Sequence, residues 1–289
     1  MMPFCPLSVS PQGPPVSDPT VQLHVNLPAL SAQHLRRLQR QLDVLRLLEA
    51  SLEHVTEANV AETRVFLSFS PAAGAELPFQ EAKTAAHRWL QSAFMRDAIE
   101  STGIFLDDCL SICNVAKLAG VGHAKGSELN HALHIQPQRY HKLHFPNKLA
   151  ELERSFGVVS PWAAHALSLN RLRTCIVHRL GIVGPQDVDP NNQLAVQWRT
   201  TRLIAKGKES GSETLLDRPG ILITEESVVQ MQFVDHSRSF ALAEEVSLTA
   251  FDLYSTIITL WSLGLTYVES VQAYLSRTAP NASNSEPAG

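Results

Sequence analysis

Pro161-Trp-Ala-Ala-His-Ala-Leu-Ser-Leu-Asn-Arg-Leu-Arg-Thr-Cys-Ile-Val-His-Arg-Leu-Gly-Ile-Val-Gly184 is the stretch whose reading decides the fold. Its apolar residues Trp162, Ala166, Leu169, Leu172, Ile176, Leu180 and Val183 recur at three- and four-residue steps, which gathers them on one side of a helix. Ser160-Pro161 supplies an N-cap and a pre-set first helical φ, and Gly181 and Gly184 supply a stop. Arg173 falls at the edge of the apolar side. A guanidinium there keeps its charge and needs an anionic or hydrogen-bonding partner. Thr174 and His178 form an i, i+4 pair on the polar side, so the hydroxyl is placed to touch and orient the imidazole. Arg171 lies on the same stripe as His178, and Arg179 follows it. Both are weak candidates for guiding phosphates, the alternative being a solvated helix face.

Outward from this helix, the N-terminal side reads as helical. From Ser31, Leu35, Leu38, Leu42, Leu45, Leu48, Leu52 and Val55 repeat at three and four, predicting a long amphipathic helix. Pro71 to Pro78 with Gly74 form a break. Phe79 to about Ala119 reads as one long helix, or as two with a joint near Gly103. Residues 120–146 read as an irregular loop holding at most a short turn, and Asn147 to Phe156 as a short helix stopped by Gly157. After Gly184 the apolar period switches to two. Leu194, Val196 and Trp198 alternate with polar residues, and Gly220–Thr224, Ser227–Val234 and Ser239–Ala243 are further strand candidates. Ser247 then caps a last helix through about Arg277. The expected organisation is a Pro-rich disordered segment over 1–30, a helical bundle over 31–184, a β-rich insert over 185–246, a closing helix over 247–278 and a disordered tail over 279–289.

Composition narrows the function classes. With 289 residues, 44% hydrophobic content and a net charge of −4, the chain reads as a globular protein without a global basic surface. Nucleic-acid binding would come from a local patch and not from a long DNA interface. Cys5, Cys109, Cys113 and Cys175 show no paired framework and read as reduced thiols of a cytoplasmic protein. No signal peptide is expected, because prolines break the N-terminus, and the apolar run Leu253–Val268 is too short and polar for a membrane span.

The run Leu169-Asn-Arg-Leu-Arg-Thr-Cys-Ile-Val-His-Arg-Leu-Gly-Ile-Val-Gly184 resembles the signature helix of the HEPN superfamily, helical bundles found in ribonucleases, toxins and defence proteins. The family pattern is arginine, a polar residue, three variable residues and histidine. Arg173 and His178 match it, and Thr174 stands where asparagine is commoner. The resemblance implies a mainly α, HEPN-like bundle with a small antiparallel β-insert before the last long helix. It also implies metal-independent RNA cleavage through 2′-OH attack, with Arg173, His178 and Thr174 in the site and no cofactor. In HEPN ribonucleases two protomers line one cleft, so a homodimer is implied, with RNA as substrate and an antitoxin or neighbouring-gene protein as partner. A non-catalytic HEPN-like interaction or nucleotide-binding module is the alternative.

Other candidates are weaker. The Arg-x-x-x-x-His spacing recurs at Arg139–His144, between Pro137 and Pro146 and without an amphipathic helix around it, so context selects Arg173 and His178. His131, His134, His141 and His144, with His123 nearby, have a spacing a metal could use. They lack cysteine or carboxylate companions and read as a polar loop, so no metal site is expected. Adjacent Asp107 and Asp108 project to different sides of a helix and read as a solvated face.

Overall fold

A computed structural model describes residues 7–11, 21–67, 77–120, 126–216 and 220–278. The expected break at Gly74, His123, Cys5 and the tail from residue 279 lie outside them. Helix α1, Leu27–His54, starts one turn earlier than Ser31, because the Asn26 side chain accepts from the Ala29 amide (2.9 Å) and Pro28 occupies the first turn, where no donor is needed. It buries Leu27, Leu30, His34, Leu38, Leu42 and Leu45, whereas Leu35 and Leu48 of the expected seam are exposed. A strand pair, β1 (Leu7–Pro11) and β2 (Val21–Val25), precedes it where disorder was expected. Helix α2 is Glu57–Leu67.

The central element is α3, Phe79–Gly120, a single 42-residue helix that packs against α1. It runs unbroken through Gly103, which is buried, so of the two readings of this segment the single long helix is the one observed. Residues 126–141 are also helical and not an irregular loop: α4 (Gly126–Asn130), a π turn (His131–Ile135) and α5 (Gln136–His141). Pro137 comes just after the π turn, so its missing N–H falls where the helical ladder changes register. Helix α6, Phe145–Phe156, carries Pro146 in its first turn and ends at Gly157 in the left-handed conformation (φ 62°).

Helix α7, Ala163–Arg179, is the stretch the sequence reading began from. Ser160 accepts from the Trp162 amide (3.1 Å) and so forms the entry turn, leaving Trp162 at the cap position. Ala166, Leu169, Leu172 and Ile176 are buried as the periodicity predicts. Leu180 is not: it adopts φ 53°, the left-handed stop expected of a glycine, and its side chain is 85% exposed. The chain turns outward there, while the Leu180 and Gly181 amides both close onto the Cys175 carbonyl.

The insert is a three-stranded antiparallel sheet in the order β4-β3-β5, formed by β3 (Gln193–Gly207), β4 (Glu213–Leu215) and β5 (Ser227–Ala241). The two expected strands Ser227–Val234 and Ser239–Ala243 fuse into β5, because β3 pairs with it continuously from Gln193↔Ala241 to Gly207↔Ser227. Ile221–Thr224 forms no strand. Leu194, Val196, Trp198 and Thr200 of β3 are buried facing α7 and α8. The cap of α8, Ala250–Thr278, is Thr249 and not Ser247: Thr249 and Asp252 exchange bonds, Thr249 N to Asp252 Oδ2 at 2.8 Å and Asp252 N to Thr249 Oγ1 at 3.2 Å. Buried Asp252 also accepts from His236 (3.1 Å) and Arg238 of β5, which fastens the sheet to α8. The fold is therefore mainly helical with a small antiparallel sheet between α7 and α8. Among the described residues no helix is long and apolar enough to cross a membrane. Cys109, Cys113 and Cys175 are buried free thiols.

Candidate active site

Two elements hold α7 in place. Ser168 donates to the His165 carbonyl and accepts from the Gln197 amide (3.0 Å), pinning the helix to β3, while its apolar stripe enters the core. The opposite side is then fixed toward α3 and the α5–α6 junction. Between them lies a cleft of about 650 Å³ lined by Asn170, Arg173, Thr174 and His178 of α7, by Glu100 of α3, and by His141, His144 and Lys148.

Arg173 is 21% exposed in its side chain, and its Nη2 lies 3.4 Å from Glu100 Oε1. Its Nε is buried without a hydrogen-bond partner, so donors of this guanidinium remain unused at the cleft. The expected contact between Thr174 and His178 is not made. Thr174 Oγ1 donates to the Asn170 carbonyl one turn back (2.8 Å), the usual competing bond of a helical threonine. His178 is exposed in the last turn of α7.

The cleft also holds residues that the sequence reading set aside. His144, from the dismissed Arg139–His144 repeat, is the residue preceding α6, and both it and His141 face the same cleft as His178. Lys148 is 7% exposed; its Nζ lies 2.7 Å from the Asp107 carboxylate and donates to the Gly103 carbonyl (3.2 Å). His141 Nδ1 lies 3.3 Å from the same carboxylate. Asp107 is thus a buried anion paired with the Lys148 ammonium and contacted by the His141 imidazole, and not part of a solvated face. Its neighbour Asp108 is pushed up to about 6 by burial, against the opposing effect of Arg37. A sequence signal for the pair existed. Lys148 falls on the same stripe as Phe145, Leu149, Leu152 and Phe156, and Asp107 on that of Gly103 and Leu110, so each is a charge placed at a core position.

The two weaker arginines do not join the site. Arg171 is exposed and outside the cleft lining. Arg179 is bound in a two-pronged pair to Asp187, with Nε donating to Oδ2 at 2.6 Å, and Asp187 also accepts from the Gly184 amide (2.9 Å). This pair closes the turn after α7. Among the described residues, no three His, Cys, Asp or Glu side chains converge where they could hold one metal ion, and His131 and His134 are exposed on the π turn.

The cleft therefore combines three imidazoles, a partly paired guanidinium and a buried ammonium against two carboxylates. Such a set is suited to binding an anion and moving protons beside it. No family model, characterised protein or solved structure matches this chain. The HEPN resemblance therefore rests on the run Leu169–Gly184.

Proposed function

We propose that the chain is a HEPN-like, metal-independent endoribonuclease that cleaves RNA in this cleft. The observation that carries the reading is the convergence of Arg173, His178, His141, His144 and Lys148 on one concave surface. RNA cleavage of this kind removes the proton of a ribose 2′-OH, forms a bond from that oxygen to phosphorus, and breaks the bond to the 5′-oxygen. The leaving oxygen is protonated, and the products are a 2′,3′-cyclic phosphate and a 5′-hydroxyl. Two proton-transfer groups and one charge-stabilising group are required.

His141 is assigned as the base. With its Nδ1–H donating to Asp107, its Nε2 is left as the proton acceptor, and Asp107 acts as a positioning residue. His178 is assigned as the acid. Arg173 holds the non-bridging oxygens with the donors Glu100 leaves unused, and Lys148 fixes the Asp107 carboxylate that orients His141. One chain then carries both imidazoles, and a second copy is not needed to supply one. His178→Ala and Arg173→Ala are each expected to lower single-stranded RNA cleavage in EDTA by roughly 10²–10⁴-fold, the range for loss of one such group. Activity equal to wild type in His178→Ala would remove His178 from the chemistry.

The Arg173–Glu100 contact favours a second reading, a non-catalytic module in which Arg173 and His178 bind a partner or nucleotide. That reading predicts no RNA product from wild type or variant, with His178→Ala changing assembly or thermal stability instead.

A further inference from the structure

A second groove, of about 580 Å³, runs between α1 and α3 beside the cleft, and Ile104 of α3 lines both. Its floor is apolar, with Trp89 standing 68% exposed on one wall. Arg37 and Arg40 of α1 line the other, and Arg36 and Arg46 flank them in sequence. Among the described residues neither Arg37 nor Arg40 makes an ion pair, whereas Arg96 on the α3 side is engaged by Asp97 at 3.0 Å. Arg37 lies close enough to Asp108 to favour its ionised form but makes no direct ion pair with it, so Arg37 and Arg40 give this wall an excess of positive charge that suits an anionic occupant. Gln41 adds a second polar feature. Its Nε2 donates to the Asp97 carbonyl and Ser101 Oγ, which leaves Oε1 as a buried acceptor with no partner.

We infer that this groove is a binding track for single-stranded RNA leading into the cleft, an inference that rests on the proposed RNA cleavage. A single strand offers what the groove lacks. Its phosphates pair with Arg37 and Arg40, and a base stacks on the open face of Trp89. The competing occupant is an acidic amphipathic peptide. The track's continuity with the cleft, through Ile104 that lines both, favours the polyanion that the cleft would process.

The test uses a labelled single-stranded 2′-O-methyl RNA, which has no free 2′-OH and cannot be cleaved, with the full chain. Fluorescence anisotropy is expected to show binding weakened roughly tenfold or more in Arg37→Ala/Arg40→Ala and in Trp89→Ala. The double variant should also lower the slope of log affinity against log salt by about 1.4, from about 0.7 per phosphate contact on single strands. Quenching of tryptophan emission by the oligonucleotide should be present in wild type and largely absent in the conservative Trp89→Phe. Unchanged affinity and quenching in these variants would overturn the track. So would quenching of Trp89 by an acidic amphipathic peptide and none by RNA. If 2′-O-methyl RNA binds through these residues while ordinary RNA is not cut, the track stands and the nuclease reading falls. If ordinary RNA is cut and the groove variants bind as wild type, the reverse holds.

Discussion

At the scale of single residues, the most informative side chains are charges placed where the pattern calls for apolar groups. Lys148 and Asp107 form a buried pair, and breaking such a pair from one side strands a charge at a typical cost of about 3–5 kcal/mol. Lys148→Met and Asp107→Leu are each expected to destabilise by an amount of that order in urea unfolding, and Lys148→Met/Asp107→Leu by clearly less than their sum. Simple additivity would mean that the two groups do not depend on each other. His34 is the second such residue. Burial lowers it to about 4; it bonds the Leu260 carbonyl at 3.2 Å and stacks on Phe105. The folded state keeps the ring neutral, so between pH 6.5 and about 4 the unfolded chain binds the extra proton and His34 makes folding weaker as pH falls, by about 3 kcal/mol in all. Asp108, pushed up to about 6, acts in the opposite sense over the same range, since its folded form takes up the proton first. The sign is therefore read from the difference between wild type and His34→Gln. The variant should gain stability relative to wild type as pH falls from 7 to 4, and an unchanged difference would contradict the buried neutral ring.

At the scale of elements, α7 was legible from sequence because its stripe, Ala166, Leu169, Leu172 and Ile176, is a one-sided pattern that burial requires. Its ending was not legible. Two glycines suggested the stop, but Leu180 takes the left-handed position and Gly181 follows it. A leucine there costs roughly 1 kcal/mol more than glycine and loses little burial if replaced, since it is 85% exposed. Leu180→Gly is expected to raise the thermal midpoint by a few degrees; a lower midpoint would mean that the side chain packs against something. The α4–α5 region was missed for a different reason. Pro137, Pro146 and the scattered histidines look like loop chemistry, yet Pro146 sits in the first turn of a helix, where it is neutral, and Pro137 where the helical ladder changes register. Once that region is helical, His141 and His144 are brought to the cleft, so the misread element also hid part of the site.

At the scale of the whole molecule, the architecture followed from the change of apolar period. Three- and four-residue repeats gave the helices, and the alternation at Leu194, Val196 and Trp198 gave the insert. What no local pattern encodes is that α3 brings Glu100, Gly103 and Asp107 beneath α7 and the α5–α6 junction, because that placement depends on long-range packing through α3. This is why Arg173 and His178 were readable as a motif, whereas Lys148 and Asp107 showed only as charges at core positions and the histidines before α6 gave no signal. In the proposed mechanism both imidazoles come from one chain, and pairing of two chains over the cleft is what a mixing experiment reads. The most direct test incubates single-stranded RNA in EDTA with wild type, His178→Ala, His141→Ala and an equimolar mixture of the two variants, and reads the product ends. The account predicts 2′,3′-cyclic phosphate ends from wild type, loss of product from each variant, and no recovery in the mixture. Absence of cleavage by wild type, or cleavage by His178→Ala at the wild-type rate, would contradict it, and recovery in the mixture would return the site to a pair of chains.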